Sequence, residues 1–306
     1  ASDDQTVRIW GAPAARPTVA STGRSAGPVT AVAAPPGGAW IVATGEDRTA
    51  RIWDPATAQV RVTLTGHEGR ITAVAVARDS GMVATASTDR TIRIWNPADG
   101  TASQTLTGHS ETSTGVVFTP DGQLASTSND QTVRIWDPAT GQTRAVFTGH
   151  TDWVTAVAVA PDGRWLATTS NDRTVRIWDL ETGRTRAVLA GHTDWVTGVD
   201  ISADGRWIAT SSNDRTARIW DPVTGETRTV LTGHTDRVSS VAFTPDGRWV
   251  ATTAADNTIV LWDPDTGERG ALMRVARRPR ACHWVSGSTL AVAGEGGLYL
   301  FELWRR

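Results

Sequence analysis

Lysine is absent from the 306-residue chain, so all 30 basic residues are arginine. Against 32 acidic residues they leave a formal net charge of −2, without the basic surplus that a nucleic-acid partner requires. The arginines are spread along the chain, which points to the codon usage of a GC-rich bacterial genome rather than to a phosphate clamp. One cysteine, Cys282, excludes an internal disulfide and a cysteine-based metal cluster. No run reaches the 18 or so apolar residues of a spanning helix, and residues 1–30 lack a basic start followed by an apolar run. These absences predict a cytoplasmic protein with no membrane partner. No segment keeps a helical period, whereas a hydrophobic content of 39% suffices for a large core.

What the chain has is repetition. A tryptophan closes a strand-like stretch at Trp10, Trp53, Trp95, Trp136, Trp178, Trp220, Trp262 and Trp304, at spacings of 43, 42, 41, 42, 42, 42 and 42. Residues 149–190 and 191–232 are identical at 29 of 42 aligned positions. Each unit holds four short β-type runs, such as "VTAVAVA", "WLATTS", "TVRIW" and "TRAVL" in 154–189. Turn residues separate them, "PDG" at 161–163 and "LETG" at 180–183.

"GH" stands at 66–67, 108–109, 149–150, 191–192 and 233–234, and "WD" or "WN" closes six units. Four strands, this period and these dipeptides resemble the WD40 family over almost the whole chain. The resemblance implies an all-β, seven-bladed WD40-type β-propeller of four-stranded antiparallel blades. Its units end at Trp53, Trp95, Trp136, Trp178, Trp220, Trp262 and Trp304. Residues 11–306 are then one propeller, and 1–10 a leftover strand of a preceding repeat. Both "DQTVRIW" at 4–10 and "GLYLFELW" at 297–304 suit the third-strand slot of the closing blade. The C-terminal copy is favoured, because a hairpin joins it directly to "TLAVAG" at 289–294, with "RPTVA" at 16–20 as outer strand.

Histidine, aspartate and hydroxyl recur in each unit, which raises a hydrolase triad. His67, His109, His150, His192 and His234 precede Asp89, Asp130, Asp172, Asp214 and Asp256 by 21 or 22 residues. Five identical catalytic centres in one ring are implausible, and no G-x-S-x-G elbow is present. The resemblance implies instead a structural relay of histidine, aspartate, a strand Ser/Thr and the strand tryptophan (Trp95, Trp136, Trp178, Trp220, Trp262). Ser25 and Ala276 stand in the histidine slot of the first and last units, and Leu298 replaces the last aspartate. His283 falls outside the slot and receives no relay role.

Arg8, Arg51, Arg93, Arg134, Arg176 and Arg218 each stand two residues before the tryptophan, where the stem is expected to pack between blades. No metal, cofactor or catalytic motif is found: H-E-x-x-H, paired cysteines and D-x-D-x-D-G are missing. The slot three residues after histidine varies, as binding positions do: Arg70, Thr112, Trp153, Trp195 and Arg237, with Pro28 and Pro279 in the other units. By the resemblance it opens on the narrower face near the channel, bordered by Thr88, Asn129, Asn171 and Asn213. Tryptophan and arginine are the side chains most enriched at hot spots, although tryptophans copied by repeat duplication also serve packing. The expected function is a non-enzymatic scaffold for a protein or peptide, monomeric as an isolated domain. The last unit resembles the closing repeat of C-terminal arrays in bacterial signalling NTPases and kinases, which implies a sensor or regulatory role. The alternatives are a designed or recently amplified propeller without a selected ligand, and an enzyme with a channel site.

Overall fold

The structure is a computed structural model that describes residues 14–18, 28–79 and 81–304. The strands form seven four-stranded antiparallel sheets. Each packs on the next through its first strand, and the seventh packs on the first, which closes a seven-bladed propeller. Blades 1 to 6 begin at Val29, Ile71, Ser113, Val154, Val196 and Val238.

Blade 4 shows how the repeat encodes this. Its strands are Val154–Val159, Trp165–Ser170, Thr174–Asp179 and Thr185–Ala190. The second strand is buried at every position, because adjacent blades cover both its faces, and its residues are accordingly small or apolar. The outer strand alternates, with exposed Arg186 and Val188 between more buried Ala187 and Leu189. Gly163, at φ +70°, closes the hairpin between the first two strands, with its N–H donating to Ala160 O at 2.9 Å. Trp178 leaves its own blade to fill the seam with blade 3, packing with Ala125, Val133 and Phe147. Burial of one such side chain contributes on the order of 2–3 kcal/mol.

A second ring of contacts lies at the inner strands and was not anticipated from the sequence. Thr30, Thr72, Thr114, Thr155 and Thr197 each donate to a carbonyl of the following blade, at Ile71, Ser113, Val154, Val196 and Val238, over 2.6–2.7 Å. Ser239 donates to Pro279 O at 3.1 Å. Between blades 7 and 1 the same position is Arg280, which donates to Glu46 Oε1 at 2.7 Å. An ion pair thus replaces a hydroxyl–carbonyl bond at the closing seam.

The closing blade combines both ends of the chain. Ala14–Thr18 pairs antiparallel with Gly297–Trp304, which pairs with Thr289–Gly294, and that strand pairs with Pro279–Trp284. The outer strand therefore spans 14–18 rather than 16–20, and Gly297–Trp304 fills the third-strand slot. Residues 1–10 lie outside the described residues.

Register corrects three expectations in this blade. Leu290 pairs with Phe301 as Leu166 pairs with Trp178, so Phe301, not Trp304, occupies the tryptophan slot. Pro279 pairs with Gly294 as Val154 pairs with Ser170, which makes Pro279 the start of the strand and Arg278 the slot before it. The aspartate slot accordingly falls on Gly296 rather than Leu298, whereas the histidine slot stays on Ala276, because Arg274 pairs with Thr258 as Ala190, two residues before His192, pairs with Thr174. Leu298 is a core residue. The cause is the third strand, which runs three residues past Phe301 to Trp304; two hairpins, each one residue shorter than in blade 4, take back part of that offset upstream.

Candidate interaction face and hydrogen-bonded relay

Five blades carry the same polar chain. His150 Nδ1 lies 2.7 Å from Asp172 Oδ2, and His150 Nε2 lies 2.9 Å from Thr168 Oγ1. Trp178 Nε1 donates to that same hydroxyl at 2.7 Å. The equivalents are His67, Asp89, Thr85 and Trp95, then His109, Asp130, Ser126 and Trp136. His192, Asp214, Thr210 and Trp220, and His234, Asp256, Thr252 and Trp262, complete the set. Of the hydroxyls at 168–170, the first is the one that joins the relay.

The indole can only donate and the carboxylate only accept, so the hydroxyl accepts from tryptophan, Nδ1–H donates to the aspartate, and Nε2 meets the hydroxyl. Burial holds His67 and His234 below their usual value, outweighing the carboxylate beside each. Burial works to raise the Asp89 carboxyl, but hydrogen bonds from Thr91 and His67 overcome it and bring the group to about 2. Asp130, Asp172 and Asp214 are lowered further against burial, by histidine and threonine donors. Thr168 is wholly buried between its two partners, so it offers no nucleophile to a substrate.

The glycine of each "GH" serves this packing. A Cβ on Gly149 would stand 3.0 Å from Arg176 Nη1 and 3.2 Å from the Trp178 ring, at a φ of +157°. Arg176 lies over the Trp178 ring, 5.8 Å from its centroid, and Arg93, Arg134 and Arg218 repeat this in their own blades. The arginine thus lies in the same seam as the tryptophan, beside the glycine that follows the outer strand of the preceding blade. The guanidinium stacks on the tryptophan of its own strand, because both side chains leave the same sheet face two residues apart. Arg51 departs from this and donates to Asp47 at 2.7 Å, in a blade whose histidine slot lies outside the described residues.

The two sets of slots expected on one face are adjacent in every blade. Thr88, Asn129, Asn171 and Asn213 N–H groups donate to the carbonyls of Arg70, Thr112, Trp153 and Trp195 at 2.9–3.0 Å. Ala255 donates likewise to Arg237, and Glu295 to Arg278. Trp153 and Trp195, on neighbouring blades 4 and 5, are 49% and 48% exposed. Arg70 and Arg237 are exposed, and Thr112 is half-buried. Asn171, with a tryptophan in its own blade and in the next, is buried, whereas Asn129 and Asn213 are less so. No hydrogen bond of the Asn171 side chain is present among the described residues.

These positions match a known pattern at the level of sequence as well. The family model described as WD domain, G-beta repeat matches residues 17–54, 58–96, 100–137, 141–179, 183–221 and 225–263. The chain belongs to the WD40 family. No curated protein matches it. WD40 propellers are generally protein-interaction scaffolds and typically non-enzymatic. The six matches take in the first three strands of blades 1 to 6, and the last blade, whose register departs from the repeat, has its first three strands outside them.

Two further polar side chains bridge seams of this WD40 ring. Asp200, where blades 4 and 6 have Ala158 and Ala242, accepts from Phe243 N of the next blade at 2.7 Å and from Ile201 N at 2.9 Å. Burial raises its carboxyl to about 6, against the pull of those two donors. His283 holds the same slot in blade 7 and hydrogen-bonds the Ala34 backbone in blade 1; burial keeps it below its usual value. Sequence spacing left His283 without a role because its partner is a backbone group. Cys282 is buried and pushed up to about 12, which suits a core thiol rather than a nucleophile or metal ligand. Among the described residues no cluster of His, Cys, Asp or Glu has metal-binding geometry.

Proposed function

We propose that this propeller is a non-catalytic peptide-binding scaffold whose contact surface is the face carrying Trp153, Trp195, Arg70, Arg237, Thr112 and the bordering Thr88, Asn129, Asn171 and Asn213. The observation that carries the reading is the pair of half-exposed indoles on adjacent blades. Other tryptophans that close third strands, among them Trp178 and Trp220, are buried. Large aromatic side chains left in water beside an unpartnered amide suit capture of an extended chain. Asn171 offers a donor and an acceptor to a peptide group.

We further place the domain in the cytoplasm of a bacterium, as a monomeric sensor or regulatory module of a larger signalling protein. Support for that role is the likeness of the last unit to closing repeats of such arrays. The test is selection of a random decapeptide display library on the purified chain. Recovered peptides should lose binding on the order of tenfold or more to the Trp153→Ala/Trp195→Ala variant. The variant's melting temperature should stay close to that of the parent. A library that yields no binder, or binders indifferent to both tryptophans, rejects the proposal.

A further inference from the structure

Once the register of the last blade is set, the variable slot reads Trp153, Trp195, Arg237 and Arg278 over four consecutive blades. Arg280 stands two residues beyond, but its guanidinium is held by Glu46 and Glu295. Arg237 and Arg278 form no ion pair among the described residues. Glu295 and Asp236 act on Arg278 through their charge, but their hydrogen bonds among the described residues go elsewhere: Glu295 accepts from Arg280, and Asp236 accepts from Arg237 N.

We infer that the arc is a bipartite site in which Arg237 and Arg278 receive an anionic group of a peptide whose apolar part lies on Trp153 and Trp195. The inference rests on the proposed peptide-binding reading and specifies the partner as an acidic peptide.

Three observations carry it. Arg278 Nε is buried without an acceptor, and no hydrogen bond from its guanidinium is present among the described residues. Burial, with the positive charges of Arg237 and Arg280, lowers the Arg278 pKa against the opposing pull of Glu295 and Asp236. A carboxylate placed between Arg237 and Arg278 would add to that pull and accept paired N–H bonds from a guanidinium fork. The aromatic half has the complementary property: Trp153 and Trp195 present apolar area that an acidic side chain alone leaves uncovered. Slot order around the ring therefore sets the polarity of the ligand, apolar over blades 4 and 5 and anionic over blades 6 and 7.

The same decapeptide library tests this. Peptides recovered on the parent should be enriched in Asp and Glu beside an apolar residue. Arg237→Ala and Arg278→Gln should each weaken them on the order of tenfold, with melting unchanged. The Arg237→Glu/Arg278→Glu variant should select basic peptides in their place. A phosphoserine version of a recovered peptide should bind at least as tightly, since it keeps the anion. Binders that need Trp153 and Trp195 but show no acidic enrichment, or keep their affinity in the charge-reversed variant, overturn this inference alone. Failure to recover any binder overturns the peptide-binding reading with it.

Discussion

His150 Nδ1 and Asp172 Oδ2 are 2.7 Å apart, and the carboxylate also accepts from Thr151 N and from the backbone and hydroxyl of Thr174. Asp172 is therefore a four-way acceptor that ties the loop before blade 4 to the hairpin between its second and third strands. Replacement of His150 by alanine leaves Thr168 without one hydrogen-bond partner and Asp172 without one donor, next to a new cavity. The expected loss is about 1–3 kcal/mol, the usual cost of stranding buried partners. Urea unfolding of His150→Ala measures it, and an unchanged midpoint would show that the relay contributes nothing to stability.

Acid should loosen the relay. Asp89 titrates at about 2 in the folded chain against an ordinary 3.8, so its stabilisation is complete above 3.8 and disappears as pH falls towards 2. His67 and His234 add in the same direction. Their folded values lie below 6.5, so the unfolded chain takes up their protons first and stability declines as pH drops below 6.5. Chemical denaturation from pH 7 to pH 3 should show this fall, and Asp89→Asn should reduce the part below pH 4. A slope unaffected by that substitution would place the acid sensitivity elsewhere.

The relay and the blade count were legible because both repeat. A histidine seen five times at a fixed distance from an aspartate points to a role shared by the blades rather than to one catalytic centre. The variable slot was legible for the opposite reason, since Trp153 and Trp195 break the repeat where Val154 and Val196 keep it. Seam chemistry was hidden, because Thr155 reaches a backbone carbonyl 41 residues away and backbone acceptors leave no mark in a sequence. The closing blade misled through its long third strand. The third strand runs three residues past the tryptophan slot and both hairpins are one residue short, so only strand pairing reveals that Arg278 shares the slot of Trp195 and Arg237.

Asp200 should give the opposite pH response to the relay. Its folded value of about 6 exceeds the ordinary 3.8, so its contribution is fully present below 3.8 and is lost as pH rises through 6. Asp200→Asn keeps a carbonyl acceptor for Phe243 N and removes the charge. The variant should gain stability relative to the parent between pH 4.5 and pH 7.5, as judged by thermal melting at both. An equal difference at the two pH values would mean that the carboxylate stays ionised at no cost to the seam.

Blade 1 offers the reverse experiment, since a bond can be added there. Trp53 Nε1 is buried with no partner among the described residues, and Ala43 stands where Thr85, Thr168 and Thr210 accept the indole proton in other blades. Ile41 pairs with Trp53 as Leu166 pairs with Trp178, so the register around the two tryptophans is the same. A serine at 43 adds a single oxygen at the position from which Ser126 accepts the Trp136 proton at 2.8 Å. Ala43→Ser should therefore raise stability by about 1 kcal/mol, the net worth of one intramolecular hydrogen bond. The opposing cost is desolvation of the new hydroxyl, which falls if its own proton finds an acceptor. Indole N–H exchange at Trp53 reads the bond directly: it should slow in Ala43→Ser. Stability lowered by 1 kcal/mol or more, with exchange unchanged, would mean that the hydroxyl does not reach the ring.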